Sequence, residues 1–128
     1  MQKAEADYRG ARKLAPSRPP AHDLVCFHCQ QAAEKYLKAV LNEQGLAVPR
    51  THDLEGLLSL LLPSYRQLRA FRHGLKILSR YAVEARYPGF SATKRQAASA
   101  LRWAGRVREA CRAVLGQRPP RSRRRRSR

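Results

Sequence analysis

Three short clusters in this 128-residue chain carry side chains able to do chemistry. Cys26 and Cys29 form a C-x-x-C pair, His52 and Asp53 are adjacent, and Arg86, Tyr87 and Pro88 follow one another. Zinc needs about four ligands, and a single C-x-x-C inside a helical pattern supplies two. His28 falls about 100° from Cys29 at helical spacing, so the cysteines are expected to be small apolar side chains of a reduced core, with no metal and no cofactor. Asp53 stands where a helix begins, and a carboxylate there is favoured by the helix dipole and the free N–H groups. Its chemical alternative is a groove lined by His52, Asp53, Glu34 and Lys35. Pro88 makes a sharp helix exit, while Arg86 and Tyr87 at such an end suit phosphate and nucleobase contact.

The elements that must position these residues are helical. From Leu24 to Leu41, Val25, Cys29, Ala32, Ala33, Tyr36, Leu37, Val40 and Leu41 recur at three-four spacing, and Glu34, Lys35 and Lys38 fall elsewhere. The run has no interior Gly or Pro, and Gly45 is placed to end it in a left-handed cap. Residues 2 to 14 predict a short first helix with a thin stripe of Ala4, Tyr8, Ala11 and Leu14, too short to persist without packing on the Leu24 helix. Pro16, Pro19 and Pro20 make a stiff connection.

Past Gly45, Thr51 or Asp53 is placed to cap a Leu-rich third helix that stops before Pro63. Ser64 is placed to cap a fourth, with Leu68, Phe71, Leu75, Leu78, Ala82 and Ala85 inward. Arg66, Arg69, His73, Lys76 and Arg80 then fall within a sector of roughly 80° on the opposite side. Tyr87, Pro88 and Gly89 break the pattern. Thr93 and Gln96 have capping-box spacing and open a last helix ending near Gly116, with Trp103 in its apolar arc and Arg95, Arg102 and Arg106 opposed to it.

The block CFHCQQAAEKYLKAVL from Cys26 to Leu41, PRTHDLEGLL from Pro49 to Leu58 and ARYPG from Ala85 to Gly89, together with the opening EADYRGARKL, resembles the HEPN family over roughly residues 4 to 115. The resemblance implies a small helical bundle that pairs with itself and with a separate minimal nucleotidyltransferase. Ribonuclease members of the family carry an Arg and, with four to six residues between, a His. Arginine can stabilise charge on a reacting phosphate while histidine transfers protons, with the RNA 2′-hydroxyl as nucleophile. Where that motif is expected, the chain reads SRYAVEARYPG from Ser79, with Arg80 and Arg86 but no histidine. A formal match, Arg66 with His73, puts both residues on one side of a continuous helix, within a stripe that makes such a pair easy to obtain by chance.

Composition agrees with a single helical domain: Leu and Ala are abundant and β-branched residues sparse. The chain carries 27 Lys and Arg against nine Asp and Glu, a formal charge of +18. Seven of those arginines lie in residues 118 to 128, leaving 20 basic against nine acidic side chains, or +11, for residues 1 to 117. Such a surplus favours polyanionic partners. No apolar run is long enough to span a membrane and the N-terminus lacks a signal-peptide core, so a cytoplasmic location is expected.

The expected architecture is all-α, an antiparallel up-and-down helical bundle of four main helices plus a short extra one. It occupies residues 1–116, followed by a disordered Arg-rich tail over 117–128. The expected function is that of a HEPN-like module binding nucleotide or substrate beside a minimal nucleotidyltransferase. Its alternatives are a metal-independent ribonuclease toxin of a toxin-antitoxin pair, or a basic protein that binds nucleic acid such as RNA. A homodimer or larger self-assembly is expected, in part because one small bundle must hide Phe27, Tyr36 and Trp103.

Overall fold

The computed structural model describes residues 1–84, 87–89 and 91–116; the Arg-rich tail expected over 117–128 lies outside the described residues. The described chain is all-helical: α1 spans Gln2–Leu14, α2 His22–Glu43, α3 Leu54–Leu61, α4 Arg72–Glu84 and α5 Lys94–Gly116, with a 3-10 segment over Arg66–Phe71. The local signals in the sequence account for several helix ends. Gly45 adopts φ +77°, and the N–H groups of Gly45 and Leu46 donate to the carbonyls of Asn42 and Leu41. This pair of bonds closes α2 by the Schellman arrangement, which needs a residue without a side chain at the left-handed position. At the start of α5 the Thr93 N–H donates to Gln96 Oε1 at 2.8 Å, and the Gln96 N–H donates to Thr93 Oγ1 at 3.0 Å. That is the predicted reciprocal box.

Helix α2 packs extensively on both α5 and α1. Helices α2 and α5 run parallel: the Ala92 N–H, just before α5, donates to Asp23 in the first turn of α2, and farther along Leu37 meets Val107 and Cys111. Small side chains permit this close diagonal contact. Cys29, Ala32 and Ala33 of α2 and Ala100, Ala104 and Cys111 of α5 are fully buried. Helices α1 and α4 flank the central pair, antiparallel to it, and share no contact with each other among the described residues. Helix α3 closes the side between α2 and α4 with Leu54, Leu57, Leu58 and Leu61, each at zero exposure. The up-and-down order is as expected, and the thin stripe of α1 does pack on α2, with Ala4 and Ala11 buried.

The fourth helix differs from expectation. Residues Arg66–Phe71 form a 3-10 segment with Tyr65 before it, and the α-helix proper starts at Arg72. Ser64 therefore does not cap it. Side chains in a 3-10 segment advance by about 120° per residue, so the helical phase that would align Arg66 with His73 is lost across the junction. Glu34 is also not on a solvent face: it is 5 % exposed, beside the equally buried Gln30. Phe27 is 46 % exposed, whereas Tyr36 is fully enclosed and Trp103 lies against α4.

Candidate functional site

Helix α2 presents two polar clusters, one on each flank. On the α3 flank, the buried Glu34 carboxylate accepts from His52 Nδ1 at 2.8 Å and from Lys38 Nζ at 3.1 Å. The lysine sits one turn on along the same helix, so its contact follows from sequence spacing. His52 comes from the loop before α3, and its side chain stays 75 % exposed while its ring reaches Glu34. Asp53 occupies the residue before α3, with the Thr51 hydroxyl accepting its N–H at 3.1 Å. Its carboxylate lies so close to Gly56 that a side chain there would come within 2.7 Å of Oδ2. Glycine at this position lets the carboxylate lie over the first turn of α3, where the dipole favours it, but contrary to expectation Asp53 makes no side-chain capping hydrogen bond.

On the α1 flank, Lys35 turns away from Glu34 and donates to Asp7 Oδ2 at 2.5 Å, while His28 Nδ1 meets Asp7 Oδ1 at 3.0 Å. Of the four residues expected to share one groove, Glu34 and His52 touch, Asp53 adjoins them along the chain, and Lys35 belongs to the other side of the helix. Sequence spacing did separate Glu34 from Lys35 by one helical step. It could not show which neighbour each would meet, because Asp7 and His52 are remote in the chain.

A third cluster lies farther along the α1–α5 contact. Arg108 Nε donates to both oxygens of Glu5, at 3.1 and 3.0 Å, and Arg112 approaches the same carboxylate at 3.6 Å. The hydrogen bond to Glu5 raises the Arg108 pKa. Burial, followed by the nearby Glu5 charge, raises that of the enclosed Tyr36 phenol, so both groups hold their protons. This cluster ties α1 to α5 and serves packing.

Helix α4 carries the remaining candidates. His73, Lys76 and Arg80 are exposed along it, and Arg66 is exposed on the 3-10 segment. The His73 ring stands edge-on to Trp103, centroids 6.0 Å apart and planes at 80°. Lys76 reaches Glu55 of α3 at 4.0 Å. Tyr87 is 64 % exposed, while Ala85 and Arg86 lie outside the described residues.

Cys26, Cys29 and Cys111 are buried free thiols. Burial pushes Cys26 up to about 11, Cys29 to about 12 and Cys111 to about 12. Because the thiolate is the reactive form, all three are expected to resist iodoacetamide at pH 8 in the native protein and to react when it is unfolded in guanidinium. Mass spectrometry of the alkylated chain checks this. Rapid native labelling of Cys26 or Cys29 would show that the pair is more accessible than its packing allows.

The family model described as HEPN domain matches residues 1–114. No curated protein matches. Among solved structures, the crystal structure of TT1696 from Thermus thermophilus superposes with a TM-score of 0.77 at 25 % identity, covering 88 % of this chain and 92 % of that one. The family match spans both flanking helices, the central pair and the Leu-rich α3.

Proposed function

The chain belongs to the HEPN domain family, and from that premise we propose that it is a binding module, the nucleotide- or substrate-holding partner of a separate minimal nucleotidyltransferase. The observation that carries this is the Glu34–His52 contact. A carboxylate withdrawn into α2 fixes one ring nitrogen of an exposed histidine, leaving the other nitrogen free at the edge of α3. A group held in this way has a set orientation at little further entropic cost, which is what a recognition surface requires. The ribonuclease alternative draws less support. Its Arg66 and His73 stand on segments of different helical type, and the histidine is packed edge-on to Trp103.

The test is size-exclusion chromatography of the chain mixed with a minimal nucleotidyltransferase, with nucleotide titrations of each protein alone and together. Co-elution is expected, and His52→Ala is expected to weaken the complex or its nucleotide affinity about tenfold, equivalent to about 1.4 kcal/mol. Separate elution, with no change in nucleotide affinity on mixing, refutes the pairing.

Self-association is the second part of the proposal. Leu24 and Phe27, three residues apart on α2, are 50 % and 46 % exposed, an apolar pair that a second copy would cover. Sedimentation equilibrium is expected to give a dimer at micromolar concentration, weakened by Phe27→Glu. A wild-type chain that stays monomeric there removes this part.

A further inference from the structure

Most carboxylates of the described residues are already paired. Asp7 takes Lys35 and His28, Glu5 takes Arg108 and Arg112, and Glu34 takes Lys38 and His52. Among the described residues, no carboxylate lies within ion-pair distance of Arg66, Arg69, Arg72, Arg102 or Arg106. Four of these five are exposed. Arginines without an ion-pair partner give a local positive field.

Aromatic rings lie among these charges. Trp103, the single tryptophan of the chain, is seated on Gly74 so closely that a Cβ there would overlap its Cε3. The Arg106 guanidinium lies over the indole, its central carbon 5.1 Å from the ring centroid. Beside it a shallow depression of about 680 Å³ crosses α5 at Gly105, between Tyr8 of α1 and Phe71 of the 3-10 segment, with Arg102, Arg106 and Glu109 on its wall, the glutamate held by Arg108 at 2.6 Å. Gly105 makes room for this crossing, since a Cβ there would meet the Tyr8 hydroxyl at 2.9 Å.

We infer that this α5 face binds single-stranded nucleic acid, with Arg102 and Arg106 on the phosphates and unpaired bases stacked on the Trp103–Arg106 pair and in the depression. An arginine laid on an aromatic ring keeps its fork of donors outward and loses little freedom on meeting a phosphate. Alternating guanidinium and aromatic planes match a strand whose charged backbone and flat bases also alternate. An acidic peptide would use the charges and leave the rings idle. Bases locked in a duplex could not reach the rings. The inference is independent of the nucleotidyltransferase partner.

The test uses the full chain and a short fluorescein-labelled oligoadenylate. Arg102→Ala/Arg106→Ala is expected to lower affinity at least tenfold and to reduce the salt slope by about 1.4, at about 0.7 for each single-strand phosphate no longer neutralised. Circular dichroism should show the double variant folded, since both side chains are exposed. The tryptophan supplies a local readout: oligoadenylate should change Trp103 emission saturably, and inorganic polyphosphate, which offers charge without bases, should not. Three results overturn the inference. They are full-strength binding by the double variant, binding with no change in Trp103 emission, and equal affinity for a duplex or for polyglutamate. The first two together would place binding on the arginines of residues 118–128.

Discussion

Leu58→Ala is expected to lower the unfolding free energy by about 3 kcal/mol, within the range of about 2–5 for a buried leucine. Leu58 is fully enclosed and lines a dry apolar seam with Leu37, Leu68, Phe71, Val107 and Cys111, where α2, the 3-10 segment and α5 meet. The seam has no room for a water, so removing carbons from it opens a gap that rigid neighbours on three elements cannot close. A small domain has about 5–15 kcal/mol in all, so a large fraction of its stability would be lost at one site. Leu60, two residues on and 47 % exposed, supplies the contrast: its alanine variant should stay within about 0.5 kcal/mol of wild type. Urea titration measures both, with an unchanged slope expected if only the native packing is altered. Similar losses at the two positions would mean that α3 is not seated on the core as described.

Positions 58 and 60 also mark how far the sequence could be read. The burial of Leu54, Leu57, Leu58 and Leu61 followed from three-four spacing, because a helix that packs by one face must repeat its apolar residues at that interval. The ends of α2 and α5 were legible for a related reason. Gly45 and the Thr93–Gln96 box act on backbone groups within a few residues of themselves, so their effect is local. The 3-10 segment was not legible. Over the six residues from Arg66 to Phe71, periods of 3.0 and 3.6 place Leu68 and Phe71 inward almost equally well, and the choice is made by what the segment must reach.

The candidate site was less readable than the fold because its decisive contacts are long in sequence and polar. Helical spacing placed Glu34 outside the apolar stripe of α2. Its burial depends on His52, eighteen residues on, arriving with a compensating donor. Lys35 reaches Asp7 twenty-eight residues back. Trp103 was recognisable as part of an apolar arc, but nothing in the local pattern ties it to Gly74, whose missing side chain makes its seat. Periodicity states which side of a helix is apolar and is silent on which polar group answers which.

The parallel contact of α2 with α5 carries the other large expected effect. Ala104 is fully buried in α5, which packs extensively on α2, and the two helices bury residues as small as Cys29, Ala32, Ala33 and Ala100. Ala104→Leu adds three carbons where the two helices are held together by having almost nothing between them. Overpacking of this kind typically costs about 1–3 kcal/mol and occasionally more, because side chains must leave their preferred rotamers or the backbones must part. Here the second route is hindered, since Asp23 ties the start of α5 to α2 and Glu5 ties its later turns to α1. A loss of about 3 kcal/mol is therefore expected, which for a domain of this size is a fall of about 10 °C or more in Tm. Ala98→Leu, on the exposed side of the same helix, controls for helix propensity and should leave Tm within a few degrees. If Ala104→Leu melts with the wild type, the central pair is looser than its small residues imply. The Arg102–Arg106 face would then rest on a helix free to shift against α2.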